Sequence, residues 1–360
     1  MWRSFLPPER LLRIVELGFA CVLLLALVAW TTFVRWLEQP LALDAPVVVE
    51  LPQGGNLTHF LDDLHERGLL DRPRWLRAQA RIDGIADMVR AGEYRLEPGV
   101  TPRLLLDMLV AGRVVVYAVT LVEGMTVGQV LARLHDQPKL EPVLRGAAVD
   151  SLLDKLGVDT GWSSAEGAFF PDTYQYSLGM SDADILLASH RELREVLAEE
   201  WAARDAGLPY RVPYEALIMA SLVEKETGVA GERREIAGVF VRRLQKGMLL
   251  QTDPAVIYGL GEAFDGNLTR EHLRTPGAYN TYLNAGLPPS PIALPGRAAI
   301  HAALHPAPGS ALYFVARGDG SHEFSATLED HNRAVRKYQL QRRDASYRSR
   351  PPGAGSSGGK

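Results

Sequence analysis

Residues 214–227 read YEALIMASLVEKET, and this composition predicts an apolar helix in the second half of the chain. Glu224 lies near the C-terminal end of the predicted helix. The residues seven, four and three positions before it are Leu217, Ala220 and Ser221. Because residues three and four apart share a helix face, the face that carries Glu224 is apolar or small.

The Glu224 carboxyl is therefore a candidate general acid. Burial removes hydration from the ionised form, and the partial negative charge of a helix C-terminus also disfavours it, so both effects should raise the pKa. A raised pKa keeps a proton available for transfer at neutral pH. The alternative is an ordinary helix-forming Glu that faces solvent. Glu226 projects about 200° away around the helix, so the two carboxylates should not converge.

The composition is that of a globular protein. The chain has 360 residues, of which 47% are hydrophobic and 23% charged, and this length allows two domains with appendages. A formal net charge of −4 gives no support for nucleic-acid binding, which a basic excess usually accompanies. Cys21 is the single cysteine and lies in an apolar N-terminal segment, so cysteine chemistry is excluded from the rest of the chain.

An uncharged apolar run near the N-terminus predicts a membrane anchor. Residues 17–34 are eighteen residues without a charge, and we place the transmembrane segment at residues 14–36. Trp30 and Trp36 fit an interfacial belt. A cleaved signal peptide or a lipoprotein signal at Cys21 fits less well. The apolar run continues past Cys21, and no small-residue cleavage site with a polar flank follows.

The charges beside this segment predict its orientation. Basic residues precede it and acidic residues follow Arg35; they are Arg3, Arg10 and Arg13 before the segment, and Glu38 and Asp44 after it. The positive-inside rule then places residues 1–13 in the cytoplasm and the chain beyond the anchor outside. Residues 37–45 are the predicted linker to the exported part.

A short pattern recurs three times in residues 46–135. Each copy has an extended run, a Gly, an Asn or Thr two residues later, and Leu seven and ten residues after the Gly. The copies are Gly54, Asn56, Leu61, Leu64; Gly99, Thr101, Leu106, Leu109; and Gly124, Thr126, Leu131, Leu134. Asn or Thr caps a helix and the Leu pair supplies its buried stripe, so each copy predicts a strand, a turn and a helix. The pattern indicates a small α+β module and, by itself, no ligand.

Residues 136–342 are predicted as a second, mixed α+β domain. Residues 165–176 place four aromatics around a Pro-Asp turn, which suits a sugar-binding wall and a hydrophobic core equally well. Residues 231–246 predict an amphipathic helix. Asp253 before Pro254 predicts the N-cap of a further helix.

The C-terminal part combines a long loop with short regular elements. Residues 275–296 contain five prolines and three glycines together with apolar residues that require burial, which is typical of an ordered, functional loop. A β-hairpin is predicted from residues 312–316 and 323–327, followed by a helix from residue 328 to about residue 342. Residues 343–360 are rich in Gly, Pro and Ser and predict a disordered tail.

No metal or cofactor site is predicted. His301 and His305 are four residues apart, but the Glu of a zinc protease motif is absent and Pro306 ends the helix. His322 and His331 lack companion ligands at metal-binding spacing and fit structural roles. A Gly-x-Ser-x-Gly elbow and a phosphate-binding Gly loop are also absent, so serine nucleophile chemistry is unsupported.

Several motifs occur in a fixed order. They are EG at residues 166–167, FPDTY at 170–174, VEKET at 223–227, LQTDP at 250–254, VIYG at 256–259, YNTY at 279–282, GLPP at 286–289 and PI at 291–292. In these motifs the chain, from the anchor to about residue 340, resembles the endolytic murein transglycosylases, also called YceG-like proteins. The resemblance implies a LysM-like module at residues 46–135 and a catalytic transglycosylase domain at residues 136–342.

The resemblance also implies the reaction. The family cleaves the β-1,4 bond between N-acetylmuramic acid and N-acetylglucosamine inside nascent glycan strands, leaving 1,6-anhydro ends and terminating elongation. Its catalytic glutamate corresponds to Glu224, and it uses no cofactor. One carboxyl is sufficient if it first donates a proton to the leaving oxygen and then accepts one from the muramyl C6 hydroxyl. An ordinary glycosidase requires two carboxylates.

Six residues are the candidate cleft wall, as sugar-binding groups or supports for Glu224: Gln251, Thr252, Asp253, Tyr258, Asn280 and Tyr282. The implied partners are peptidoglycan strands, the membrane and peptidoglycan synthases. The implied location is the bacterial inner (cytoplasmic) membrane, crossed once, with the catalytic domain in the periplasm. Two alternatives stay open. One is a water-using glycan hydrolase with Glu226 or Asp253 as second carboxylate, and the other is a non-catalytic peptidoglycan-binding scaffold.

Overall fold

The computed structural model describes residues 8–340 of the chain. These residues form helices and short two-stranded sheets, so the predicted α+β class is confirmed. They divide into two compact units, the first with residues 8–117 and 177–179, the second with residues 118–176 and 180–340. The predicted tail at residues 343–360, and the first seven residues of the predicted cytoplasmic segment, lie outside the described part of the chain.

The first unit is built on one antiparallel strand pair. Its elements are α1 (Pro8–Leu37), β1 (Val47–Leu51), α2 (Leu57–Glu66), α3 (Pro73–Ile82), β2 (Gly92–Leu96) and α4 (Pro102–Ala111). β1 pairs with β2 so that Val49 lies opposite Tyr94. The helices pack on this pair around the fully buried side chains of Leu51, Leu61 and Tyr94.

α1 is exposed over most of its length, and its last turn is part of the first unit. Leu12–Leu37 is long and apolar enough to cross a membrane, the one such helix among residues 8–340. The prediction that Trp36 joins Trp30 in an interfacial belt is wrong. The Trp36 ring is buried, and its Nε1–H donates to Asp71 Oδ1 at 2.8 Å. Leu41, in the predicted linker, is buried as well and donates its N–H to the Val100 carbonyl.

The second unit contains most of the chain. Its elements are β3 (Tyr117–Thr120, of which Tyr117 ends the first unit), α5 (Val127–His135), α6 (Leu152–Lys155), β4 (Thr173–Tyr176), α7 (Asp182–Ala202), α8 (Pro213–Glu226), α9 (Arg233–Gln245), α10 (Asp253–Leu260), α11 (Arg297–Leu304), β5 (Tyr313–Ala316), β6 (His322–Ser325) and α12 (Leu328–Val335). α8 contacts α7, α9, α10 and α11. Every residue from 216 to 223 is buried, which is the behaviour of a helix at the centre of a core.

The three predicted strand, turn and helix copies all form. Asn56, Thr101 and Thr126 each accept a hydrogen bond from a backbone N–H in the first turn of α2, α4 and α5. Gly54, Gly99 and Gly124 before them have positive φ, as the tight turn requires, and the Leu pairs are buried. The third copy packs in the second unit, because β3 pairs with β4 and α5 packs on α7.

The aromatic run at residues 165–176 belongs to the core. Phe169, Phe170, Tyr174 and Tyr176 are all buried. The Tyr174 hydroxyl lies 2.8 Å from the Phe170 carbonyl oxygen. Of the two interpretations open from sequence, the sugar-binding wall is therefore wrong for these four side chains.

The C-terminal elements follow the predictions closely. β5 and β6 form the predicted antiparallel hairpin, with Phe314 opposite Phe324. Residues 275–296 contain no strand and no helix, as their prolines require. The final α-helix is shorter than predicted. It ends at Val335 and is followed by a π-helical segment, Arg336–Leu340.

The cap of α5 provides a stability test. Thr126 Oγ1 accepts the Gln129 N–H at 3.3 Å, and the Gln129 side chain accepts the Thr126 N–H at 3.0 Å, a reciprocal capping box. We expect Thr126→Ala to cost about 1 kcal/mol, which lowers the melting temperature by about 2–4 °C. Differential scanning fluorimetry of the full chain in detergent measures this change. Thr126→Ser keeps the hydroxyl and is the control; equal melting temperatures for the two variants would contradict the assignment.

Candidate active site

Three consecutive charged residues at the end of α8 reach three different segments of the second unit. Glu224 accepts a hydrogen bond from Gly296, Lys225 donates to the Gly124 carbonyl, and Glu226 accepts from Thr252. Successive residues on a helix project about 100° apart, so three neighbouring side chains must find separate partners. The prediction that Glu224 and Glu226 point apart is confirmed.

Glu224 is nearly enclosed by protein. Its side chain is 7% exposed, and Oε2 accepts the Gly296 N–H at 3.1 Å. The guanidinium of Arg233, at the start of α9, lies 3.8 Å from Oε1. Leu217, Ala220 and Ser221 on the same helix face are fully buried, as predicted.

Backbone contacts bring Gly296 to this position. Ile292 donates its N–H to Ser221 Oγ at 3.0 Å, which ties the proline-rich loop to α8. Gly124 donates to the Leu294 carbonyl, and Leu294 donates to the Met125 carbonyl, so the loop and the turn after β3 are paired. Gly296 then caps α11, and its N–H points at the carboxylate as helix N-termini favour.

The turn after β3 also brings a second carboxyl beside Glu224. Glu123 Oε2 lies 4.0 Å from the Arg233 nitrogen that faces Glu224, and the Glu123 side chain is 47% exposed. A Cβ on Gly296 would overlap the Glu123 carboxyl, so a side chain at this position would displace Glu123. The arrangement is a half-exposed carboxylate, a shared guanidinium and a buried carboxyl.

The pKa of Glu224 is raised, in the direction that the sequence predicts. Burial is the largest cause and the negative charge of Glu123 is the second. The Gly296 hydrogen bond and the charges of Arg233 and Lys225 act in the opposite direction but do not cancel the burial effect. The protonated form therefore persists to higher pH than in a solvated Glu.

Sequence reasoning missed Glu123, Arg233 and Gly296 as site residues. In the three-copy pattern the residue before the Gly is Gln53, Pro98 or Glu123, so the strand and turn do not require a Glu there. The presence of Glu123 at this position was therefore the one feature of the pattern that indicated a role other than packing. Arg233 begins a helix with four arginines, and the sequence did not separate it from the other three.

Glu226 anchors a separate cluster. Thr252 Oγ1 donates to Glu226 Oε1 at 2.5 Å, and Thr281 Oγ1 accepts the Thr252 N–H at 3.0 Å. Gln251, just before, has φ +53, the one positive φ outside glycine among the described residues. Arg243 holds this strained segment by donating to the Leu250 carbonyl at 2.8 Å.

Two more of the predicted cleft residues join this cluster. Tyr282 donates its hydroxyl to Asp253 Oδ1 at 2.6 Å. The prediction of Asp253 as N-cap is wrong by one residue, because Thr252 occupies the cap position and Asp253 is the first residue of α10. The Thr252 hydroxyl binds Glu226 instead of capping the helix. Gln251, Thr252, Asp253 and Tyr282 are thus brought together.

Tyr258 and Asn280 lie in other surroundings. The Tyr258 hydroxyl donates to Glu166 Oε2 at 3.1 Å, and its ring packs edge-on against Tyr279. Asn280 is buried, and its amide donates to the Thr275 carbonyl at 2.8 Å. Its Oδ1 accepts the Tyr282 N–H, so the side chain holds the loop together.

One group of side chains, on α7, on α11 and just after α11, has metal-ligand chemistry. Ligand atoms of Glu200, His301 and His305 lie within 4.8 Å of one another. Each already has a partner: His301 binds Glu200, Glu200 binds Arg297, and His305 binds Asp205. Arg297 competes with a cation for the carboxylate, so the contacts describe an ion-pair cluster. His322 is paired with Glu232, in keeping with its predicted structural role.

The charges around Glu224 make opposite predictions for two variants. Glu123→Gln removes a negative charge and should lower the pKa of Glu224, whereas Arg233→Gln removes a positive charge and should raise it. Titration of the Glu224 side-chain carboxyl by ¹³C NMR measures both shifts. Glu199→Gln, which alters an exposed ion pair with Arg297, is the control. Shifts of the same sign in the two variants would contradict this account.

Comparison with known proteins places the chain among a defined set of relatives. The sequence pattern of the YceG-like family matches residues 49–337. A protein of Bacillus subtilis (strain 168) named endolytic murein transglycosylase is 30% identical over 307 residues, which cover 81% of this chain and 84% of that protein. A Streptococcus pneumoniae (serotype 2, strain D39 / NCTC 7466) protein of the same name is 28% identical, and the match spans 58% of its length.

A solved structure also matches. The crystal structure of a putative YceG-like protein from Listeria monocytogenes superimposes with a TM-score of 0.50 and 28% sequence identity. The match covers 80% of this chain and 98% of that one.

Proposed function

Because this chain belongs to the YceG-like family, with relatives named endolytic murein transglycosylases, we propose that it is a lytic transglycosylase acting on peptidoglycan. The bond cleaved is the β-1,4 linkage between N-acetylmuramic acid and N-acetylglucosamine inside nascent glycan strands. The products carry 1,6-anhydro ends, and cleavage terminates elongation. The observation that carries the proposal is Glu224, a buried carboxyl with a raised pKa.

Glu224 performs both proton transfers. The protonated carboxyl gives its proton to the glycosidic oxygen as the bond from that oxygen to muramyl C1 breaks. The resulting carboxylate takes the proton of the C6 hydroxyl, whose oxygen forms the new bond to C1. Burial and Glu123 favour the protonated state needed first, and Arg233 and the Gly296 N–H stabilise the carboxylate formed between the two transfers.

A water-using hydrolase is the second candidate function, and Glu123 is the observation that favours it. An ordinary glycosidase needs a second carboxylate as base or nucleophile. Glu226 and Asp253, the residues that the sequence suggests for this role, are bound by Thr252 and Tyr282. Glu123 instead shares Arg233 with Glu224 and is half exposed. We assign Glu123 to tuning the pKa of Glu224, because the substrate's own C6 hydroxyl supplies the nucleophile.

The six predicted cleft residues divide into two groups. Gln251, Asp253 and Tyr282 lie together and are not buried, which supports direct contact with sugar hydroxyls. Thr252 and Asn280 are buried and hold the loops, and Tyr258 binds Glu166, so these three serve as supports.

The N-terminal helix supports a location at the membrane. We propose that α1 is an uncleaved anchor with residues 1–13 in the cytoplasm and the catalytic unit in the periplasm. The exposed apolar surface of α1 supports a lipid-facing helix. The first unit's order of β1, α2, α3 and β2 supports the LysM-like module. Peptidoglycan synthases in the same membrane are the proposed partners.

Glu224→Gln tests the central assignment. The amide keeps the shape of the side chain but has no proton to give, so we expect loss of activity by at least about a thousandfold. Purified sacculi are digested with the full chain in detergent, and new ends are identified by mass spectrometry. With the wild-type protein, anhydro ends support the proposal and reducing ends favour the hydrolase. Uncleaved sacculi with bound wild-type protein favour a scaffold. An unchanged melting temperature shows that the variant is folded.

Glu123→Gln separates the two catalytic candidates. If Glu123 only tunes the pKa of Glu224, the variant should keep turnover within about tenfold and still form anhydro ends. Its alkaline activity limb should move to lower pH, because the acid loses its proton earlier. A Glu123 that served as base or nucleophile would instead lower turnover by several orders of magnitude.

A further inference from the structure

Glu166 is a buried carboxyl that the proposed mechanism does not use. It is 2% exposed, Oε1 accepts the Val127 N–H at 3.0 Å, and Oε2 accepts the Tyr258 hydroxyl at 3.1 Å. Burial raises its pKa to about 7, against the lowering effect of these hydrogen bonds. A buried carboxyl is costly to ionise, so the presence of an acidic residue at this buried position requires a specific role.

The Val127 contact places the Glu166 carboxyl at the C-terminal end of the turn that carries Glu123. Val127 is the first residue of α5, and the turn comprises residues 123–126. The same turn is held at its other end, where Lys225 Nζ donates to the Gly124 carbonyl at 2.9 Å. Glu166 and Lys225 therefore fix the turn from two sides.

Lys225 also interacts electrostatically with both Glu166 and Glu224. Its ammonium lowers the pKa of both carboxyls, so its charge is shared between them. When one of these carboxyls is ionised, it attracts the Lys225 ammonium, and the ammonium then stabilises the other carboxylate less. The charge state of Glu166 therefore alters the field that Lys225 produces at Glu224.

We propose that Glu166 is a positioning residue for Glu224, which fixes the turn carrying Glu123 and directs the Lys225 charge away from the catalytic carboxyl. This inference rests on the proposed function. The groups that face Glu166 are Tyr258 on α10 and Tyr214 and Lys225 on α8; those that face Glu224 are Glu123, Arg233 and Lys225. Lys225 acts on both carboxyls.

The test is the pH profile of turnover in three variants. Glu166→Gln removes the charge that attracts Lys225, so the pKa of Glu224 should fall and the alkaline limb should move down by about half a pH unit. Lys225→Met removes the ammonium and should move the limb up. Adding Glu166→Gln to Lys225→Met should move it no further, because the intermediary is gone. The disturbed turn should also lower kcat by roughly tenfold.

Glu93→Gln is the matched control. Glu93 is a buried carboxyl of the first unit that also accepts a Tyr hydroxyl, from Tyr117 at 2.7 Å. It should lower the melting temperature without moving the alkaline limb. Should Glu166→Gln fail to fold, Tyr258→Phe and Lys225→Met carry the test, since Tyr258→Phe removes one hydrogen bond that stabilises the Glu166 carboxylate.

Two results overturn the inference. One is an alkaline limb that Glu166→Gln lowers equally in the presence and absence of Lys225, and the other is a limb that Glu166→Gln does not move. Failure of the proposed function looks different, because anhydro ends would then be absent from the wild-type digest or persist with Glu224→Gln. An inactive Glu224→Gln together with an unmoved limb in Glu166→Gln rejects the positioning role alone.

Discussion

The burial of α8 over residues 216–223 is the constraint on which the site depends. Because other helices surround α8, Glu224, Lys225 and Glu226 at its end lie largely against protein, where each polar group needs a partner. Their partners come from the loop before α11, the turn after β3 and the segment before α10. The end of one helix thereby fixes the three segments that surround the candidate active site.

The partners differ in how well they compensate charge. Glu226 receives a short hydroxyl hydrogen bond, whereas Glu224 receives one backbone N–H and an arginine 3.8 Å away, beside a second carboxylate. The raised pKa of Glu224 and Glu166 has a stability consequence. Unfolded carboxyls ionise at lower pH than these two, so their contribution to folding is lost as the pH rises through the folded values. Acid chemistry at this site is therefore obtained at the expense of stability toward alkaline pH.

The sequence predicted those features that depend on residues close together in the chain. The caps at Asn56, Thr101 and Thr126, the hairpin of β5 and β6, and the raised pKa of Glu224 all follow from residues close in sequence. Glu123, Glu166 and Gly296 did not, because the residues that they contact are distant in sequence. Trp36 was misread for the same reason: its apolar surroundings in sequence resemble a membrane segment, but Asp71 and Trp75 bury it.

The position of Glu123 bears on why one carboxyl is sufficient. Glu123 lies against Gly296, and its Oε2 is 4.0 Å from the Arg233 nitrogen that also faces Glu224. A negative charge so placed raises the pKa of the neighbouring carboxyl, which is the role proposed for Glu123. In the proposed reaction the nucleophile is the C6 hydroxyl of the muramyl residue, which belongs to the same sugar as C1. An intramolecular attack needs positioning more than activation, and one carboxyl that gives and then takes a proton meets that need.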